Sequence, residues 1–255
     1  MNIALISLDI KDFDIKTNIF SVEEAFSCLE KDTDMVVLPE MFLTGFVMDT
    51  TLAQQSKNEG LKLLKHAAKQ YCCAMEGTLL IQQNNKYYNR HYFITSEKVQ
   101  YYDKKHLFSM SDESKKLNSG TKHTIVEYKG WKIMLLTCYD LRFADWSKNK
   151  ITDNKFLYDI LVYCASWPKS RIRQWQTLLQ ARAIENQSFV IGVNRQGKDY
   201  KNNIYPLSSY LINPKGEILK HQNNKTLNNS NIQYYDINKE SLNRLRQNFP
   251  VSLDW

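Results

Sequence analysis

Residues 135–143 read "LLTCYDLRF": an apolar run that ends in a cysteine and passes at once into aromatic and charged residues. The run extends back to Ile133, and a short continuous apolar stretch of this kind fits a strand covered on both faces. Cys138 therefore stands at the carboxyl end of an expected buried strand. Taken alone, such a cysteine is a core thiol more often than a nucleophile, because free cysteine is among the most buried residue types. The rest of the chain decides between the two.

Four further runs share this texture: "IALISL" (3–8), "MVVL" (35–38), "DILVYCA" (159–165) and "FVIGVN" (189–194). Between them, Ile19, Val22, Phe26 and Leu29, then Leu61, Leu64 and Ala68, recur at helical spacing with one apolar face. Ile172, Trp175, Leu179 and Ala183 do the same inside "IRQWQTLLQARAIENQ" (172–187), which lacks Gly and Pro and is rich in good helix formers. A strand–helix–strand order at the start and again over 160–194 predicts an α/β fold with helices flanking the sheet. "YYNRHYFITSEKVQYYDKKHLF" (87–108) and "SSYLINPKGEILKH" (208–221) each read as a hairpin, the second turning on Asn213, Pro214, Lys215 and Gly216, so the sheets are expected to be mixed. The polar stretch "HQNNKTLNNSN" (221–231) is expected to be a surface loop. With no linker, repeat or low-complexity segment, residues 1–255 are taken as a single domain.

Composition excludes several classes. An apolar fraction of 43%, with 15 tyrosines and 11 phenylalanines, belongs to a folded chain rather than a disordered one. The net charge of +7 arises from scattered lysines without an arginine-rich run or an aromatic-basic repeat, which gives no support to nucleic-acid binding. No apolar stretch is long enough to span a membrane, and the N-terminus lacks the features of a signal peptide. Five cysteines at positions 28, 72, 73, 138 and 164 make no disulfide framework, which points to a reducing cytoplasm. They form no C-x-x-C pair and have no histidine at ligand spacing, so no metal is expected. Cys28, Cys72, Cys73 and Cys164 read as packing residues.

Three runs end in reactive side chains: "MVVLPEMF" delivers Glu40, "YYDKKHLF" delivers Lys104, and the opening stretch delivers Cys138. In open α/β sheets, ligands bind beyond the carboxyl ends of strands, where residues distant in sequence converge. Singly, each has an ordinary structural explanation. Together they are the types a cysteine amidase needs: a nucleophile, a base, and a fixed cation for the oxyanion.

"LPEMFLTGF", "YDKKHLF" and "CYDLRF", in this order, resemble the three signature blocks of the nitrilase superfamily of carbon-nitrogen hydrolases. The resemblance covers nearly the whole chain and continues in "SDESKKLNSG" and "ASWPKSRIRQWQTLLQARAIENQSFVIGVNRQG". With "NPKGEIL" and "LNRLRQNFP", it is greatest to the bacterial omega-amidase branch. It implies an α-β-β-α sandwich that pairs into a homodimer. The implied activity is hydrolysis of the terminal amide of 2-oxoglutaramate or 2-oxosuccinamate, without a cofactor, through a cysteine thioester. Another amidase of the superfamily, acting on N-carbamoyl compounds or aliphatic amides, is the nearest alternative. A non-catalytic binding protein keeping the fold, or a thiol-redox protein, is the alternative from another class.

Carried over by residue, Glu40 resembles the general base, Lys104 the catalytic lysine, Cys138 the nucleophile and Glu113 the second glutamate of the family. The backbone N–H of Tyr139 is expected to face the oxyanion. Lys104 is preferred to Lys105 because the family pattern leaves one residue before the histidine, here His106, whose role is structural. Neighbours in an extended segment point to opposite faces, so only one of the two lysines can face the site. Trp167 resembles a wall of the acyl pocket, with a structural tryptophan as the competing view. Arg142 is either paired with Asp140 or free to attract a substrate carboxylate. The usual proline after "CYDLRF" is missing, since Ala144 and Asp145 follow, which puts the rigidity of that turn in question.

Overall fold

The computed structural model describes residues 1–152 and 155–254. In chain order the strands are β1 (Asn2–Leu8), β2 (Met35–Val37), β3 (Ala74–Gln83), β4 (Lys86–Ile94), β5 (Val99–Asp103), β6 (Ile125–Tyr128), β7 (Trp131–Thr137), β8 (Ile151–Thr152), β9 (Lys155–Phe156), β10 (Ile160–Ala165), β11 (Phe189–Asn194), β12 (Gly197–Lys198), β13 (Ile204–Tyr205), β14 (Tyr210–Ile212), β15 (Asn223–Thr226) and β16 (Ser230–Asp236). The helices are α1 (Ile15–Ser27), α2 (Ala53–Gln70), α3 (Glu113–Lys116), α4 (Ile172–Glu185) and α5 (Lys239–Asn248).

Two mixed sheets result. One runs β15-β16-β1-β2-β3-β4-β5, the other β14-β11-β10-β7-β6. The central pairs β1–β2–β3 and β7–β10–β11 are parallel, and antiparallel strands close the edges. Alternation along β1 shows how the layers form: Ile3 and Leu5 enter the core shared with the second sheet, while Ala4, Ile6 and Leu8 pack under α1 and α2. On the far side, Trp175, Leu179 and Ala183 of α4 join the same core as β10 and β11. The architecture is thus the expected α-β-β-α sandwich. Gly192 permits the close seating of α4, because a Cβ there would meet Leu179 Cδ1 at 2.5 Å.

Several segments depart from expectation. Residues 221–231 are not simply a loop: β15 pairs with β16 through Asn223↔Tyr234 to Thr226↔Asn231. β15 is an edge strand with exposed polar side chains, so its stability comes from the ladder and leaves no apolar signature. The 208–221 hairpin does turn at Asn213–Gly216, yet its return arm forms no full strand and is held by the bridge Ile212↔Ile218 and by Leu219 N donating to Leu211 O at 2.8 Å. Cys72 is exposed with φ of 53°, and Cys28 is half-buried; of the four expected packing cysteines, Cys73 and Cys164 are buried. No helix among the described residues is long and apolar enough to cross a membrane.

Candidate active site

Each reactive residue arrives by a local device at the carboxyl end of a strand. After β2, the backbone N–H of Glu40 bonds Ala165 O at 3.5 Å, and that of Met41 bonds Thr78 Oγ1 at 2.8 Å, which turns the Glu40 side chain inward. After β5, Lys104 N donates to Asn89 O at 3.0 Å, and Gly120 N to Lys104 O at 2.9 Å. A Cβ on Gly120 would sit 1.9 Å from Asp103 O, so glycine is required for this approach. After β7, Cys138 adopts φ of 42° and opens a 3-10 turn over Cys138–Arg142. The left-handed conformation is strained for cysteine and aims its side chain away from the strand direction.

Asp140 holds that turn. Its carboxylate accepts from Thr137 N (3.0 Å), Tyr102 Oη (2.8 Å) and His106 N (2.9 Å), and lies 2.8 Å from His106 Nδ1. His106 stacks on Phe143 with ring centroids 3.7 Å apart. His106 thus braces the nucleophile turn. Asp140 therefore does not pair with Arg142, because its oxygens are taken by groups behind the turn. The missing proline is also accommodated, since residues Ala144–Ser147 form a 3-10 turn without it.

Glu40, Lys104 and Glu113 meet in a fully buried cluster. Lys104 Nζ lies 2.9 Å from Glu40 Oε1 and 2.9 Å from each oxygen of Glu113. Lys105 points elsewhere, 5.5 Å above the Trp146 ring, as the alternation of an extended segment requires. Glu113 Oε2 also accepts Phe108 N at 2.7 Å, and Glu40 Oε2 accepts Ser166 N at 3.0 Å. Asn89 Nδ2 reaches both carboxylates, 2.8 Å from Glu40 Oε1 and 3.0 Å from Glu113 Oε1. Asn89 lies within a stretch whose sequence suggests only a hairpin, so nothing in the local pattern singles it out.

Electrostatics follow from burial. Desolvation works to lower the Lys104 pKa, but the Glu113 and Glu40 charges outweigh it and raise it, so the ammonium stays charged. Burial pushes Glu113 up, against the opposing pull of Lys104. Burial and then the Glu40 charge push Cys138 well above the ordinary thiol range, which leaves it a thiol at neutral pH. Such a sulfur becomes a nucleophile only if a base takes its proton.

Lys104 of this cluster and Cys138 both line a cavity of about 210 Å³. Trp167 is a buried wall, its indole N–H bonded to Arg171 O at 2.7 Å and its backbone N–H to Asn194 Oδ1 at 2.7 Å. It is thus both structural and part of the lining. Two guanidiniums line the cavity as well: Arg142, 5.1 Å over the Trp167 ring, and Arg171, 5.6 Å over the Phe108 ring. Arg171 was not indicated by any sequence pattern.

A two-sheet sandwich with a thiol, a buried ammonium and two carboxylates at one end is the arrangement of a hydrolase that cuts carbon-nitrogen bonds. Residues 2–247 match the carbon-nitrogen hydrolase family, and the chain belongs to it. It is 41% identical over 187 residues to Omega-amidase YafV of Escherichia coli, covering 73% of this chain and 71% of that protein. It is 32% identical over 222 residues to a 2-oxoglutaramate amidase of Bacillus subtilis, covering 85% and 84% of the two chains. The crystal structure of a CN-hydrolase superfamily protein from Xanthomonas campestris, with an arsenic adduct in its active site, superposes with a TM-score of 0.94. It is 30% identical and covers 100% of this chain and 97% of its own.

Proposed function

We propose that the protein is an omega-amidase that hydrolyses the terminal amide of 2-oxoglutaramate or 2-oxosuccinamate to the 2-oxo acid and ammonia. The observation that carries this is the buried Lys104 ammonium, held between two carboxylates and lining the Cys138 cavity. Glu40, within hydrogen-bond reach of the thiol, takes the Sγ proton as sulfur attacks the amide carbon. Lys104 Nζ lies 2.9 Å from Glu40 Oε1 and from both Glu113 oxygens, and its ammonium faces the cavity, where its charge stabilises the carbonyl oxygen as it becomes negative. The Tyr139 N–H is the second donor in this scheme. Glu40 returns its proton to the leaving nitrogen, ammonia departs, and a Cys138 thioester remains. Water deprotonated by Glu40 then releases the acid and frees the thiol. Glu113 orients Lys104, and Trp167 shapes the acyl side of the cavity.

Arg142 and Arg171 favour a substrate that carries a carboxylate away from its amide, as both 2-oxo acid amides do. Among the described residues no carboxylate forms a salt bridge with either guanidinium. The same assignment includes a homodimer in the cytoplasm. Free cysteines support a reducing compartment, and exposed Ile184 on α4 with Phe249 beyond α5 supports pairing through a sheet-flanking helix.

The test is ammonia release from the two 2-oxo acid amides, set beside N-carbamoyl and simple aliphatic amides, together with intact mass of Glu40→Gln incubated with 2-oxoglutaramate. The expected result is preference for the 2-oxo acid amides and a mass gain on Cys138 equal to the acyl group. No release from either, with Cys138 intact, would sink the assignment.

A further inference from the structure

Asn89 is the one member of the buried cluster to which the chemistry above assigns no part. It sits in β4 with no solvent exposure, and its backbone carbonyl holds Lys104 N at 3.0 Å. Both N–H bonds of its side chain are spent on carboxylates from two other segments, Glu40 Oε1 and Glu113 Oε1. Its own Oδ1 has no hydrogen-bond partner. A flipped amide would set Oδ1 against two carboxylate oxygens, so repulsion fixes the orientation. An unpartnered buried carbonyl is costly, and a residue that retains one is held there by the contacts of its other end.

Glu40 has two oxygens with unlike surroundings. Oε1 accepts from both Lys104 Nζ and Asn89 Nδ2, whereas Oε2 accepts from Ser166 N, a backbone donor that also reaches the Cys138 thiol. We infer that Asn89 is a positioning residue that, with Lys104, occupies Glu40 Oε1 and so assigns Oε2 as the oxygen that takes the thiol proton. In that transfer the Sγ–H bond breaks, an Oε2–H bond forms, and Glu40 becomes neutral while sulfur bonds to the substrate carbon. Asn89 thereby prevents the carboxylate from rotating its occupied oxygen toward the sulfur. The inference rests on the roles given above to Glu40 and Cys138.

The test uses the pH dependence of Cys138 alkylation by iodoacetamide, resolved from Cys28 and Cys72 by peptide mass spectrometry, so it needs no amide substrate. In the wild type, labelling rises along an acid limb as the base loses its proton. Asn89→Leu removes both donors, and loss of a hydrogen bond to a carboxylate favours its protonated form. The limb should move to higher pH by about one unit, with roughly tenfold slower labelling on its acid side. Asn89→Asp, of the same shape, should also move the limb to higher pH, because a third negative charge opposes ionisation of Glu40. A purely structural Asn89 would lower Tm in both variants and leave the shape of the profile unchanged. That outcome, with Cys138 selectively labelled in the wild type, overturns this inference alone. Absence of selective labelling in the wild type overturns the assigned roles and the inference together. Should both variants fail to fold, the side-chain amide protons of Asn89 in labelled wild type, compared by NMR with Glu40→Gln and Glu113→Gln, decide it. Both resonances should shift, one with each variant, and unmoved resonances overturn the assignment.

Discussion

The two ends of strands β7 and β10 carry buried charge clusters of opposite make-up. At the carboxyl end one ammonium, Lys104, serves two carboxylates. At the amino end one carboxylate, Asp159, serves two cations: Arg246 Nη1 at 2.8 Å and Lys239 Nζ. Asp159 also accepts Lys132 N at 3.0 Å, while Arg246 donates to Gln187 O at 2.9 Å and Tyr158 O at 3.0 Å. Every polar group of that second cluster is directed at fixed backbone or a partner charge, and the result is a clamp holding α5 against the sheet. Both clusters border a cavity, and the first differs in that a strained thiol faces the same cavity as its ammonium. Burial and ion pairing are common to both, so neither marks a reactive site; a thiol that shares a cavity with the buried ammonium does.

The sharpest way to break this comparison is Cys138→Ala. Amide hydrolysis should fall by about 10⁴-fold or more, as removal of a nucleophile does elsewhere, while Tm measured by calorimetry stays close to wild type because no buried partner is orphaned. A variant that retains a tenth of the rate would refute the contrast. Next in size, Lys104→Met leaves two buried carboxylates facing each other. Activity should drop by about 10²–10³-fold or more, and stability by roughly 3–5 kcal/mol. Glu113, raised already by burial, rises further without the ammonium. A carboxyl whose folded pKa lies above its unfolded value favours folding at low pH and loses that advantage as pH rises through the folded pKa. The stability deficit in urea titrations should therefore widen from pH 5 to pH 8.

Asp159→Ala tests the other end. Stability should fall by a similar 3–5 kcal/mol, since Arg246 is left buried without its partner, yet kcat/KM of the folded fraction should stay within about twofold. A large loss of rate at a temperature where the variant is folded would show the two ends to be coupled. The smallest effect belongs to Arg142→Met, which should raise KM about tenfold for 2-oxo acid amides. It should leave an uncharged aliphatic amide unaffected, and an equal change for both substrates would remove the guanidinium from carboxylate recognition.

What was legible in the chain follows from how each element is stabilised. β1, β2, β7, β10 and β11 are buried on both faces, and their apolar runs announce them. β3 is equally central but reads "AMEGTLLIQQ", and its Glu76 and Gly77 interrupt the pattern. Glu76 is tolerated because His91 Nε2 lies 3.2 Å from its carboxylate, a contact between strands that no local pattern reveals. α5 buries only Leu242 and Arg246, so it offers almost no apolar stripe. Asp140 beside Arg142 suggests a pair, but the 3-10 turn sends the carboxylate inward to Thr137 and His106.

The sequence by itself determined the α/β class and the three segments from which a thiol, a base and a cation come, because strand burial is written in local residue order, and its resemblance to a family added the sandwich and the choice of Lys104 over Lys105. Tertiary structure alone decided that Asn89 completes the cluster with Glu113, that Asp140 anchors the turn rather than pairing with Arg142, and that Arg171 joins the cavity. Each of these depends on hydrogen bonds between segments far apart in the chain, and their geometry exists only once the two sheets have packed.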